Sequence, residues 1–501
     1  MTYRMVVVLL IVGTLPLASG AVAQQNAGFE ATESNSDPIP HWKTHEEGYE
    51  VTVTADTAYE GSQSLRMRRT ASGRVGVATQ TLEADSLGTE GLRLSGYIKT
   101  QDVVDGYAGL WVRVDGAHRE GLILKNMSDH GVKGTRSWRR YEVEMPVPEE
   151  ADHIHFGALM PGDGTAWFDS LRLEGLGSDD VPPPSDEARA YLNRALDVME
   201  KRSINRDSID WTALRDSVMR KARGIETTEH TYWALRYAIG RLEDEHSSLR
   251  TPRQMDRLER GRLGARRGTS SGLKGTVMKG DVAYLRVPRF IQLGASTTAF
   301  ADSLQRIIAR LDQERPCGWV VDLRPTLGGN MWPMIAGLGP VLGDGKAGVM
   351  VGPDGKEKSW WYRDGKAGIG DSTVVTVSDD PYQLSPSHPP VAVLTGPRTA
   401  SSGEAVVVSF RGRPNAKSFG QPTRGLSTSN AAIPLSDGAT LFLTTATFAD
   451  RRGTVYGEPI EPDVVVESGD SSSSLAEDPV VEAGRSWLQK QPRCSSTSNQ
   501  Q

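Results

Sequence analysis

The sequence predicts a multidomain chain: an antiparallel all-β sandwich, then a small helical unit, then an α/β core. Three observations carry this. Short apolar segments of period two recur between turn residues up to about residue 175. A break containing Pro182, Pro183 and Pro184 separates them from a stretch of helical spacing. From residue 273, buried-type strands alternate with an amphipathic helix, as in a largely parallel sheet. The 501 residues allow about three domains at roughly 100–200 residues each. With 38% hydrophobic and 24% charged residues, the composition is that of a soluble globular chain. The net charge of −6 and the lack of a long basic run argue against nucleic acid as a partner.

Residues 1–23 read as a signal peptide. Arg4 precedes an apolar run from Met5 to Leu17, and Ala21-Val22-Ala23 is a small-x-small cleavage site. The run falls short of the ~20 residues that span a bilayer, and no later stretch is long and apolar enough. The expectation is an exported chain, secreted or periplasmic, with no membrane span.

Residues 24–175 form the expected β domain, with strands around Val51–Val53, Ser64–Met67, Leu92–Ile98, Leu110–Val114 and Tyr141–Met145. Its ends carry a resemblance. Asn26-Ala27-Gly28-Phe29-Glu30, Tyr59-Glu60-Gly61-Ser62-Gln63-Ser64-Leu65 and Ala166-Trp167-Phe168-Asp169-Ser170-Leu171 are similar to segments of jelly-roll carbohydrate-binding modules. The resemblance implies a jelly roll and a glycan as candidate ligand. Trp42, Trp111, Trp138 and Trp167 suit either sugar stacking or the sandwich core, the commoner place for such residues.

Residues 176–185 are a Pro-rich linker. Residues 186–250 form the helical unit, with Ser185 as N-cap and further helices from Asp210 and from about Thr228 to Leu242. Residues 251–272, rich in Arg and Gly, read as a solvated connector. The α/β core covers 273–468. Its strands are expected at Val282–Val287, Trp319–Leu323 and Val391–Leu394, with a helix from Thr297 to Leu311. The Ser-rich tail, 469–501, reads as loose apart from a short apolar turn around Trp487. The two cysteines, Cys317 and Cys494, are either bridged or free.

The strongest local signal follows the third core strand, where Thr399-Ala400-Ser401-Ser402-Gly403-Glu404 leads into a helix. A hydroxyl there sits among free backbone N–H groups that stabilise a developing oxyanion, although serine before a helix is most often a plain N-cap. A second strand runs through Asp322-Leu323-Arg324 into Gly328-Gly329, a turn that lets backbone N–H groups approach a ligand. Neighbouring strands would aim both turns at one crevice at the carboxyl edge of the sheet.

These segments, with Gly420-Gln421-Pro422-Thr423-Arg424-Gly425 and the closing Glu461-Pro462-Asp463, resemble the tail-specific (C-terminal processing) serine peptidases. The similarity is greatest to the branch that includes the tricorn core and the nisin-resistance peptidase. The resemblance spans about residues 186–467. It implies a crotonase-like or ClpP-like core, Ser401 as nucleophile and a peptide or protein substrate, with no metal or organic cofactor. The lysine that many members place after the Gly-x-Pro-Thr-x-Gly segment is Leu426 here, and Lys417 precedes the segment, so a Ser–Lys dyad is not expected. The PDZ domain of many members is absent as well.

A serine hydroxyl needs a base, and histidine suits neutral pH. Six of the nine histidines lie in the β domain: His41, His45, His118, His130, His153 and His155. Of the others, His246 matches the position of the catalytic histidine in the tricorn-like branch, whereas His230 and His388 do not. The expected site is therefore Ser401 and His246, with Ser402, Gly328 and Gly329 supplying oxyanion-hole N–H groups. Tyr456 or Glu458 is a candidate third member near the closing motif. A dyad alone, with Glu458 a surface charge, is the other reading. Two alternatives to a peptidase stay open: a non-catalytic peptide- or glycan-binding protein on the same scaffold, and a Ser–His esterase.

Overall fold

Period-two alternation in the N-terminal third becomes antiparallel sheet in the computed structural model. The model describes residues 24–31, 39–45, 47–87, 89, 91–117, 119–148, 150–177, 180–264, 272–291, 294–385, 387–467 and 474–495. The expected signal segment, 1–23, lies outside these residues.

The predicted strands at Leu92–Ile98 and Leu110–Val114 are two ends of one strand, Gly91–Gly116. Its first half pairs with Val132–Pro146 and Asp163–Leu176, and its second half with Arg119–Asn126 and Ala151–Met160. One long strand thus joins two antiparallel layers. The register shifts between Thr100, Val103 and Ala108 mark where it changes partners. Leu94, Ile98, Leu110, Val112, Ile154, Phe156 and Phe168 are fully buried. So is Trp42, which packs on Phe29 with ring centroids 5.1 Å apart.

The chain divides into two compact units. One comprises Met1–Leu192 with Arg215–Leu235, and the other Asn193–Leu214 with Arg236–Gln501. The helical stretch expected at 186–250 is therefore shared between them. It holds helices Asp186–Arg202, Trp211–Lys221 and Tyr232–Gly240, and Asp210 caps the second through a 3.0 Å bond to Ala213 N–H.

The second unit contains a six-stranded sheet in the order Lys274–Met278, Val282–Arg286, Gly318–Asp322, Val391–Thr395, Ala416–Gly420, Val464–Val465. All pairings are parallel except the first. Both faces are covered, which is why its strands are apolar at nearly every position. Helices Ala295–Asp312, Met331–Leu342 and Ser402–Phe410 pack on one face through Ala283, Leu285, Val321 and Val393. The other face, through Tyr284, Val320, Ala392, Leu394 and Phe419, receives Val480, Val481 and Leu488. Beside it lies a seven-stranded antiparallel sheet containing Ser248–Arg250, Thr428–Pro434 and Thr440–Ala449.

Two segments depart from the sequence expectation. The first part of the 251–272 connector is a helix, Pro252–Gly264. Thr251 and Gln254 exchange reciprocal bonds of 3.0 and 3.4 Å with each other's N–H groups, and Pro252 takes the first helical position. The tail is not loose throughout either. Helix Pro479–Gln489, capped by Asp478, lays its apolar face on the sheet, and Cys494 is disulfide-bonded to Cys317 across 177 residues. No helix among the described residues is long and apolar enough to cross a membrane.

Candidate active site

The parallel strands Val391–Thr395 and Gly318–Asp322 are neighbours, so the turns that leave their carboxyl ends lie side by side. Thr399 Oγ1 donates to Leu323 O at 3.1 Å, and Ala400 N–H donates to Thr326 O at 3.0 Å. These bonds fasten the Ser401 turn to the Gly328 turn. A Cβ placed on Gly328 would lie 3.3 Å from Ser401 Cβ and 3.8 Å from its Oγ, so the Gly328 backbone lies against the serine side chain. Gly328 and Gly329 have φ of 104° and 125°, and a Cβ on Gly329 would meet Phe290 O at 2.0 Å. Glycine is the residue that tolerates both demands.

Ser401 is the N-cap of helix Ser402–Phe410 and has φ 51°, ψ −109°. A non-glycine residue held at positive φ costs of order 1–3 kcal/mol and persists only when its surroundings over-determine it. Here the anchor is Glu404, which is fully buried. Its Oε2 accepts from Ser401 N–H at 2.7 Å, and its Oε1 accepts from Thr423 Oγ1 at 2.6 Å and Gly425 N–H at 2.9 Å. Burial raises the Glu404 pKa, and these bonds oppose the rise. Glu404 therefore ties the Ser401 turn to the Gly420–Gly425 turn. Ser402 is the first helical residue, so its N–H lacks an intrahelical acceptor. Its side-chain hydroxyl is buried without a partner among the described residues.

His246 lies two residues before strand Ser248–Arg250, which pairs with Thr440–Ala449. Its Nδ1 is 2.8 Å from Thr428 Oγ1, and its carbonyl accepts from Asn430 Nδ2 at 2.8 Å. Its main-chain N–H donates to Asp244 Oδ1 at 3.0 Å, and Asp244 Oδ1 also accepts from Thr444 Oγ1 at 2.7 Å. Thr444 Oγ1 is in turn 3.0 Å from Asn430 Oδ1, which closes a ring of polar contacts around the histidine. Burial lowers the His246 pKa, and Asp244 pulls the other way. From Gly425, held by Glu404 beside Ser401, to Thr428 is three residues, at most about 11 Å of chain.

The two third-member candidates are engaged elsewhere. Tyr456 OH donates to Asp450 Oδ2 at 3.2 Å, and burial pushes its pKa up to about 12. Glu458 is exposed, and its carbonyl accepts from Ser427 Oγ at 2.8 Å. The imidazole is hydrogen-bonded through Nδ1 with Thr428 Oγ1, a partner that sequence reasoning missed. A threonine at the start of a strand carries no signal until the fold places it. Lys417 is on strand Ala416–Gly420, three residues before its carboxyl end, or roughly 10 Å at the strand rise. No group of acidic, histidine or cysteine residues that could hold a metal occurs among the described residues.

Residues 281–466 match the family model "Peptidase family S41". The range includes Ser401, Gly328 and Glu404 but neither His246 nor the N-terminal unit. The chain is 27% identical over 293 residues to the nisin-resistance protein of Lactococcus lactis subsp. lactis, covering 58% of this chain and 86% of that protein. It is 28% identical over 192 residues to a carboxy-terminal-processing protease of Bartonella bacilliformis, covering 38% of this chain and 40% of the relative. A solved lipoprotein from Streptococcus agalactiae aligns with a TM-score of 0.49 at 27% identity, over 61% of this chain and 97% of that one.

Proposed function

From the premise that residues 281–466 are a peptidase family S41 domain, we propose that the protein is an exported serine peptidase. It cleaves peptide bonds through an acyl-enzyme on Ser401, with His246 as the base. The observation that carries the proposal is the position of Ser401, strained at φ 51° on a helix N-terminus with Gly328 against its side chain. Ser401 Oγ attacks the scissile carbonyl and passes its proton to His246. In the tautomer in which Nδ1–H donates to Thr428 Oγ1, Nε2 is unprotonated and takes that proton, then returns it to the leaving amine. The lowered pKa keeps the imidazole neutral, the form a base requires. The N–H groups of Ser402 and of Gly328 or Gly329 receive the oxyanion. In this reading Thr428 orients the ring, and neither candidate third member, Tyr456 or Glu458, is needed. The fold reading that goes with this mechanism is a crotonase-like or ClpP-like core that follows a jelly-roll sandwich in the sequence.

In the N-terminal unit, Tyr59 is 42% exposed and stacks on Tyr97 with centroids 3.4 Å apart; Trp138 lies 6.4 Å from Tyr59. That aromatic patch supports a recognition role, with a glycan as the ligand it suits.

A fluorophosphonate probe tests the chemistry. Labelling that maps to Ser401 and is lost in Ser401→Ala is expected. An unlabelled protein would favour the non-catalytic alternative. Turnover of aryl esters with no cleavage across a peptide library would favour the esterase.

A further inference from the structure

Helix Ser402–Phe410 has the nucleophile at its N-terminus; at the other end, roughly 13 Å away at the helical rise, lies a cavity of about 290 Å³. Val393, Val407 and Phe410 form its apolar part. Four cations line it, Arg411, Arg413, Lys417 and Arg452, against two carboxylates, Asp450 and Asp463.

Both carboxylates are already committed. Asp450 accepts from Arg452 N–H at 2.8 Å, Thr454 N–H at 3.0 Å and Tyr456 OH at 3.2 Å. Asp463 accepts from Ser418 N–H at 2.7 Å, Ser418 Oγ at 2.9 Å and Arg411 Nη1 at 2.6 Å. Among the described residues, Arg411 alone of the four cations has an acid partner, and its Nε is buried with no acceptor.

Arg413 is the most telling of the four. It is 3% exposed, and its guanidinium donates only to the main-chain carbonyls of Val341, Leu342 and Pro414. Burial, with the like charge of Arg451, pushes its pKa down to about 10. Lys417 and Arg452 make no ion pair or side-chain hydrogen bond among the described residues. A buried guanidinium without a counter-charge is costly. Among the described residues no carboxylate forms an ion pair with the Arg413 guanidinium.

We propose that this cavity binds a small organic oxyanion, a carboxylate or phosphate headgroup on a short apolar body. The headgroup meets Arg413, Lys417 and Arg452, and the body rests on Val393, Val407 and Phe410. The volume is at the lower end for a ligand pocket, which restricts the ligand to a small molecule or a single chain end.

Calorimetric titration of the full chain at fixed ionic strength tests this, with N-acetyl-leucine, N-acetyl-leucinamide, n-butyl phosphate and inorganic phosphate as probes. At least one organic anion is expected to bind saturably, at least tenfold more tightly than the neutral amide and than inorganic phosphate. The tighter of the two organic anions names the headgroup. Lys417→Ala with Arg452→Ala should weaken binding at least tenfold without lowering the thermal midpoint, because among the described residues neither side chain has an ion pair or hydrogen bond to lose. Arg413→Lys, which keeps the charge, should retain more affinity than Arg413→Met. Absence of saturable binding, equal binding of the amide, or unchanged affinity in the double variant would each overturn the site. Inorganic phosphate binding as tightly as the organic anions would overturn the apolar half of the assignment.

Discussion

A serine hydroxyl attacks a carbonyl only when a neighbour takes its proton, so at the scale of single residues the proposed mechanism stands on His246 and what surrounds it. Ser401→Ala and His246→Ala should each lower kcat by at least about 10³-fold, and the double variant by little more, because nucleophile and base act as one unit. Ser402→Ala is the control for register. Its hydroxyl is buried with no partner among the described residues, so its loss should be neutral to stabilising by about 1 kcal/mol while activity persists. An inactive Ser402→Ala beside an active Ser401→Ala would move the nucleophile by one position.

The protonation of His246 gives a second test. Because burial lowers its pKa, activity should rise with pH through a midpoint below the ordinary value of about 6.5, and hold above it. The Asp244 charge favours the imidazolium, so Asp244→Asn should shift that midpoint to still lower pH. A shift to higher pH would contradict the assignment. Thr428→Val removes the 2.8 Å contact to Nδ1 and should lower kcat about tenfold with KM little changed, since ring orientation matters to proton transfer more than to binding. Thr428→Ser should restore most of the loss.

Among elements, the strands and turns of the core were legible from sequence and the connections were not, for a physical reason. Val391–Thr395 and Gly318–Asp322 are buried on both faces, which leaves an apolar run that reads as a strand without knowledge of its neighbours. Gly328 was legible because its backbone conformation requires glycine, whereas Ser401 was singled out through the resemblance of its motif, its local sequence alone reading as an N-cap. Thr428, Asn430 and Asp244 act on His246 through contacts that span 182, 184 and 2 residues. Only the last is local, and none has a composition of its own. Helix Pro252–Gly264 was missed because its Arg-rich composition outweighed the Thr251–Gln254 capping box that was present to be read. Helix Pro479–Gln489 was missed because Val480, Val481 and Leu488 make a short stripe that is stable only against the sheet.

The docking of that helix yields a prediction at its own scale. The Cys317–Cys494 bridge closes a loop of 177 residues, worth about 5 kcal/mol in the chain-entropy model. The reduced tail stays in place through its apolar face and the Arg324–Asp478 ion pair at 2.8 Å, so the measured loss should be smaller. Cys317→Ser with Cys494→Ser should lower the stability by about 2–4 kcal/mol and steepen the denaturant slope, because the uncrosslinked denatured chain exposes more surface. Two titratable thiols in the unreduced, denatured wild-type protein would refute the bridge.

For the molecule as a whole, the decisive feature is that its two units are interleaved in sequence. Residues Arg215–Leu235 belong with the N-terminal sheets although the chain has already entered the second unit. Their attachment is specific. Gly224 N–H donates to Pro182 O at 2.6 Å, Arg223 Nε to Val181 O at 2.8 Å, and Lys125 Nζ to Glu226 Oε1 at 3.0 Å. Val218, Ala222 and Ile225 are buried there. The Pro-rich segment before Asp186 is therefore not a free hinge between a module and an enzyme, as its composition alone suggests. A chain begun at Asp186 would keep Ser401 and His246 but leave residues 215–235 without the surface that covers them. Each exposed apolar side chain forfeits about 1.5–3 kcal/mol of burial. Such a chain should therefore melt at a lower temperature than the full protein and associate as its concentration rises. Specific activity on short peptides should survive only in the fraction that stays monomeric. Scanning calorimetry and light scattering on the two chains check this directly. An unchanged midpoint with a monodisperse monomer would mean that the 215–235 segment is held by something other than the β-sheets, and that the N-terminal unit is dispensable for folding.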